Sequence, residues 1–513
     1  MRGTRSLTLS DRFRTAPTRT ELLILAVVLV ALGSFIFTQG QQPPKPLSAL
    51  PSSILQLAPD PISMMEVRET ELSKATEGLR SDGLPLYYEN PKGEPEPVGG
   101  ADFKGLYLIG SYAAVALGID DPLEAWRIIW VIAWMMVLFG GPFFISTLTS
   151  SRLAIYLTSL ALLIGISTID PLDIYWVQAW AVLALIPPVM YIWRKKSFGN
   201  RDLTALFGIA LAAGVVSLIR DPAGFPVLLV AAFVIWNRSN SKPVGLGLVG
   251  LLVLGYISTS VLALEGIIAL RDSQSGIDLS ARNGGSSETF WHSVYIGLGY
   301  LQNDWGIYYR DEVAAAAVKS LAPDAGYHTA KYNETLREEV FRIASSEPFY
   351  IVKLLLQKTV AIFYFSFQYI FVLAVGLPAL IASTFRKLLL LVTPAIVIGV
   401  LPAFLAVPTA GYLYGMIGAI LLAALLGIVA LLQLIAESWA SSSGEGRANR
   451  IRAAAVAPFP TEHGRRLIVM YVIFLLVTAV GVTVGKRTNE SHQTWTASQE
   501  KFVPIQPVLE ADR

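Results

Sequence analysis

Few side chains in this chain can do chemistry, and those that can fall in a handful of short stretches. "FWHSVYIGLGYLQNDWGIYYRDE" (290–312) holds His292, one of four histidines, with Asp304 and Asp311 downstream. An imidazole flanked by aromatics can donate to a phosphate, move a proton, or hold a divalent cation with Asp304 or Asp311. It can equally be a structural histidine, hydrogen-bonded inside a folded loop. No second histidine stands at ligand spacing, so no zinc site is expected. Arg220, in "SLIRDPAGF", ends an apolar run beside Asp221. Its planar fork suits a lipid phosphate, although pairing with Asp221 would need no ligand. Arg127 begins another apolar run and offers the same choice between phosphate contact and snorkelling. Lys353 and Lys358 can meet anionic headgroups, and ordinary snorkelling explains both.

These groups must be positioned by membrane helices. Of 513 residues, 53% are hydrophobic and 15% charged, against about a quarter charged in soluble domains. Apolar runs at 22–38, 126–145, 153–169, 174–193, 203–219, 223–236, 244–264, 361–382, 388–407, 412–435 and 467–484 predict an all-α polytopic membrane protein of about eleven transmembrane helices. The basic arm before residue 22 leads into a membrane anchor, not a cleavable leader. The absence of cysteine excludes disulfides, thiolate metal sites and cysteine nucleophiles. A net charge of +2 indicates no polyanionic partner, and there is no nucleic-acid patch. "GLG" (297–299) lacks the rest of a nucleotide loop, and no Walker motif or Ser–His–Asp order is present. Asn333 and Asn489 head glycosylation sequons.

Charge sets the expected topology. Short basic loops mark the cytoplasmic side, and "RKKSFGNR" (194–201), "NRSNSK" (237–242), "TFRK" (384–387) and "GEGRANRIR" (444–452) qualify with the N-terminal arm. The resulting plan runs from a cytoplasmic arm (1–21) and first span (22–38) to a first external loop (39–124) and a bundle (125–265). A second large external loop (266–360) and further spans (361–436) follow, then a cytoplasmic linker (437–466), a last span (467–484) and an external tail (485–513). Between Gln39 and Lys104 stand ten acidic and six basic residues, which suits the external side. The apolar stretch 103–119 would invert every later loop if it spanned. It is therefore expected to lie on the external surface as an interfacial helix.

"FKGLYLIGSYAAVALGIDDPLEAWR" (103–127) and the layout around it resemble the integral-membrane glycosyltransferases of the GT-C superfamily, in particular the aminoarabinose-transferase and protein-mannosyltransferase-like branch. The 290–312 stretch is similar to a late-loop motif of that group. The resemblance implies a GT-C-like bundle with two large external loops and interfacial helices. It further implies transfer of a sugar from a polyprenyl-phosphate donor, with inversion, to a lipid, glycan or protein acceptor. The place would be the outer face of a bacterial cytoplasmic membrane. Lys104, Tyr107, Gly118 and Arg127 take family positions. Glu69 falls nearest the catalytic carboxylate, with Glu66 and Asp60 as neighbours. As general base it would take the acceptor's proton. Arg127 and Arg220 would hold the phosphate, with His292 and Asp311 near the cavity.

The departures are specific. No Asp-Glu pair precedes "DGLP" (82–85), and Gly411 stands before Tyr412 where the family often has arginine. The spacing in "EVRETELSKATEGLR" (66–80) also fits an ordinary solvated amphipathic helix. A non-catalytic GT-C-like scaffold, docking a protein partner through the external tail, is the alternative to an enzyme. Membrane lipids are expected partners in either case, and a divalent cation remains open as a cofactor.

Overall fold

The computed structural model describes residues 17–39, 68–98, 104–169, 174–239, 241–276, 290–327 and 329–441. They are mostly helical. In chain order the helices are α1 (Arg19–Gln39), α2 (Glu69–Ser81), α3 (Lys104–Leu117), α4 (Pro122–Leu148), α5 (Arg152–Ser167), α6 (Trp176–Arg194), α7 (Asn200–Ile219) and α8 (Phe225–Arg238). After them come α9 (Lys242–Ile257), a π turn (Ser258–Leu262), α10 (Ala263–Ser275), α11 (Phe290–Leu298), α12 (Asp311–Leu321), α13 (Ala330–Ser346), α14 (Pro348–Ala382), α15 (Arg386–Leu405) and α16 (Ala410–Ser441). The last expected span, at 467–484, and most of the linker lie outside the described residues.

Seven of the helices are long and apolar enough to cross a membrane. They make this a multi-pass membrane protein. Shorter apolar helices at Arg152–Ser167 and Phe225–Arg238 occupy positions where spans are expected. Local chemistry starts the helices where the chain turns. The Asp121 carboxylate accepts from the Leu123 amide at 2.8 Å ahead of Pro122, and the Ser151 hydroxyl accepts from the Ala154 amide at 3.3 Å.

Burial separates the core helix from the peripheral ones. The apolar window of α16 is 83% buried, against 17% for the continuous Lys242–Ser275 helix. A helix apolar on all sides and buried on all sides sits at the centre of a bundle, and α16 accordingly packs against α5, α6, α14 and α15. The crossing with α14 is tight: a Cβ on Gly376 would lie 2.6 Å from the Gly427 carbonyl carbon. Small residues let two backbones approach that closely.

The expected interfacial helix is α3. Its start touches the end of α7, since Gly105 abuts the Leu218 carbonyl. Its end leads through Asp121 into α4, whose Trp126 packs on Trp176 at the start of α6, with ring centroids 5.7 Å apart. Both ends of α3 therefore lie at one end of the bundle.

The first loop is not wholly helical. Within "PKGEPEPVGG" (91–100), which reads as a connector, residues 91–97 form a turn and the second strand of an antiparallel hairpin, β1 (Tyr87–Glu89) with β2 (Pro95–Pro97), Tyr88 facing Glu96. Gly93, with φ +75°, turns the chain. Arg271, buried in α10, donates to the Leu86 carbonyl at 3.1 Å and fastens this loop to the bundle. The expected second loop also begins and ends differently. The helix from the bundle continues through α10 to Ser275, and α14 starts at Pro348, ahead of the expected 361. Its middle has a core of its own, including Tyr295, Ile296, Tyr300, Tyr332, Leu336 and Ile343.

Candidate functional site

The loop-bearing end of the bundle gathers residues from five distant parts of the chain. Arg220 follows the last residue of α7. Its guanidinium carbon lies 4.5 Å from the ring centroid of Tyr175, which precedes α6. Tyr175 in turn packs on Tyr412, in the first turn of α16, at 5.0 Å. The Tyr412 hydroxyl meets that of Tyr309, in the second loop, at 2.9 Å. Arg68, just before α2, is within electrostatic reach of Tyr175, and Arg220 and Asp311 are within reach of Tyr309. Burial raises the Tyr309 phenol well above its ordinary range, with Tyr412's hydrogen bond opposing the shift. The Tyr309 phenol is therefore neutral at pH 7, beside a permanent cation. Such a set can receive a phosphate.

Short contacts hold Arg220 in place. The Ser217 hydroxyl accepts from the Gly224 amide at 2.9 Å and from the Tyr256 hydroxyl at 2.7 Å, which ties the 220–224 turn to α7 and α9. Gly224 abuts the Ala213 carbonyl, so α8 begins directly against α7.

The 290–312 stretch closes over this end. His292 is buried, with Nδ1 2.8 Å from the Tyr332 hydroxyl and Nε2 3.0 Å from an Asp311 carboxylate oxygen. Asp311 itself is exposed, at the start of α12. The backbone amide of Trp291 donates to the Asn333 side chain at 3.2 Å. Asn303 organises the next turn, accepting from the Trp305 and Ile307 amides and donating to the Leu301 and Ile307 carbonyls. The glycines of "GLG" serve close approach: a Cβ on Gly297 would lie 2.1 Å from the Leu405 carbonyl oxygen, and one on Gly299 2.4 Å from Tyr308 Cα. Lys358 does not snorkel. It is buried and donates to the Phe404 and Ala406 carbonyls at 2.9 and 2.6 Å, satisfying the C-terminal end of α15.

Of the residues the sequence singles out, Arg220, Tyr412, Asp311 and, through Asp311, His292 meet here. The others stand apart. Lys104 faces α10; burial lowers its ammonium below the usual lysine range, Glu265 and Asp272 pulling it back up and Arg271 adding to the drop. Tyr107 is buried in the core. Arg127 pairs with Glu124 at 3.4 Å. Glu69 is exposed as the first residue of α2, while Glu66 and Asp60 lie outside the described residues. Sequence reading misses Tyr175, Tyr309 and Arg68. The signal for the tyrosines was their place at the outer end of a span and in the aromatic loop.

A divalent cation does not fit at His292. Both ring nitrogens are committed, and among the described residues no three His, Asp or Glu side chains come together as metal ligands.

No family model and no curated protein sequence matches the chain. A crystal structure of the Archaeoglobus fulgidus oligosaccharyltransferase in the apo form is similar over 90% of this chain and 56% of that one, with 9% identity and a TM-score of 0.36. The chain thus spans little more than half the length of that protein, and so distant a likeness assigns neither fold nor activity.

Proposed function

We propose that this protein is a GT-C-type glycosyltransferase that moves a sugar from a polyprenyl-phosphate donor to a lipid, glycan or protein acceptor. The reaction would take place on the loop-bearing face, the outer face of a bacterial cytoplasmic membrane with the N-terminus inside. One observation carries the reading: Arg220 rests on Tyr175 at the end of the bundle, with Tyr412 and Tyr309 beside it under the second loop. In transfer, a carboxylate takes the acceptor's proton and the acceptor oxygen attacks the anomeric carbon. The bond from that carbon to the phosphate oxygen breaks, and the polyprenyl phosphate leaves with the electron pair. Arg220 holds that leaving phosphate with its fork. Glu69, Glu66 or Asp60 in the first loop is the base in this reading. Lys104, Tyr107 and Arg127 support the first loop and its helix, and His292 holds Asp311 beside the tyrosines. Lipid mass spectrometry of a deletion strain tests it. Loss of the gene should accumulate one polyprenyl-phosphate-linked sugar, and Arg220→Gln should fail to restore the pool. A lipid profile unchanged by the deletion would overturn the assignment.

A second reading is a non-catalytic GT-C-like scaffold. The exposed position of Glu69, with no Asp-Glu pair before the "DGLP" turn, favours it. Glu69→Gln, Glu66→Gln and Asp60→Asn proteins that all restore normal products would point there. So would copurification of a stoichiometric partner that is lost when residues after Lys486 are removed.

A further inference from the structure

At the opposite end of the bundle, two basic loops that are forty residues apart in sequence meet. Arg238, at the end of α8, donates to the Lys195 carbonyl, and Lys195 pairs with Asp202 at 2.5 Å. Between them opens a cleft of about 480 Å³ whose lining mixes Lys196, Arg238, Ser239 and Ser241 with Phe198, Leu203, Val244 and Leu248. Beneath its lining, Arg238 Nε and Ser239 Oγ are buried and lack a hydrogen-bond partner. The first turns of α7 and α9 also border the cleft, through Leu203 and Val244. Helix N-termini favour negative charge.

Charge at this end is one-sided. Lys195, Lys196, Arg238 and Lys242 stand against Asp202, and Lys195 already takes that carboxylate. Lys242 donates to the Trp236 carbonyl at 3.1 Å. Sidedness alone would explain cations in these loops. It would not explain a single cleft that gathers Lys196 and Arg238 with Phe198, Leu203, Val244 and Leu248. A ligand that fills this cleft needs an anionic oxygen cluster joined to a hydrocarbon chain.

We infer that this cleft binds the headgroup of an anionic phospholipid. The phosphodiester takes the Lys196 ammonium and the open edge of the Arg238 guanidinium, and an acyl chain lies along Phe198, Val244 and Leu248. This is the end that the charge rule places in the cytoplasmic leaflet, where anionic lipids concentrate. The site is independent of the transferase reading, because it lies at the far end of the bundle from Arg220.

Full-length protein in mild detergent, exchanged with phosphatidylglycerol or phosphatidylcholine and examined by native mass spectrometry, provides the test. Wild type should keep one phosphatidylglycerol and release phosphatidylcholine. Lys196→Glu and Val244→Glu, both at exposed positions that leave packing intact, should each lower retention about tenfold. Millimolar inorganic phosphate should not displace the lipid. In a parallel melt, phosphatidylglycerol should raise the wild-type Tm and phosphatidylcholine should not, a readout independent of whether either variant folds. Equal retention of both lipids, unchanged retention in both variants, displacement by inorganic phosphate, or a Tm indifferent to phosphatidylglycerol would each overturn the proposal.

Discussion

The two ends of the bundle treat their cations in opposite ways. At the loop-bearing end, Arg220 lies against an aromatic ring beneath tyrosines, and a folded loop with its own core covers it. At the basic end, Arg194 donates to the Thr147 carbonyl at 2.8 Å, Arg238 to that of Lys195, and the cleft beside them stays open. A cation facing tyrosine rings and hydroxyls keeps its fork oriented and partly dehydrated, which suits binding a phosphate strongly at one geometry. Cations bound to helix-end carbonyls chiefly close those helices and mark a side. The same residue types thus do two kinds of work. What differs is the cover above them.

Removing the cation at each end should separate these roles. Arg220→Gln should lower sugar transfer about a hundredfold, the scale seen when one charge-stabilising donor is lost, as measured by product formation in membranes. If transfer survives, the loop-bearing end is no more specialised than the basic one. Loosening the cover without touching Arg220 comes next. Gly297→Val would force a side chain onto the Leu405 carbonyl and should destabilise the protein by about 2–3 kcal/mol, read as a lower Tm and faster proteolysis within 290–346. Lys358→Met removes the donor to two buried carbonyls and should cost about 1–3 kcal/mol, seen in the same melt. Arg271→Gln, which unfastens the Leu86 carbonyl of the first loop, should cost about 1–2 kcal/mol and expose the 82–98 hairpin to protease before the second loop. Arg201→Gln, on an exposed turn of the basic end, should change stability by no more than about 0.5 kcal/mol. A large effect there would mean that this end is as tightly organised as the other.

Much of the plan was legible from sequence because membrane helices are written locally. A run such as 412–435 must find an apolar environment whatever its neighbours do, and α16 follows it closely. The expectation that 103–119 lies at the interface came from charge alone; the contacts of Gly105 and Trp126 show that both ends of the segment lie at one end of the bundle. The hairpin at 87–97 was illegible, since prolines and a glycine read as a connector until a partner strand appears. Lys358 misled for a related reason. A lysine just ahead of an expected span looks like a snorkeller unless an adjacent helix ends beside it, and here α15 does.

The candidate site divides in the same way. Arg220, His292, Asp311 and Tyr412 could be picked out one by one, since a polar side chain beside apolar sequence is conspicuous by itself. Tyr175 and Tyr309 were not, because an aromatic residue at a membrane boundary is ordinary until its neighbours are known. The polytopic helical class and the apolar segments that become the described helices can be read from the sequence, because hydropathy acts on each segment separately. Folding adds that residues 175, 220, 309 and 412 share one site, that the glycines of 297–299 serve backbone contact, and that two basic loops border one cleft. Those outcomes depend on packing between helices far apart in the chain, and no local sum of residue properties contains them.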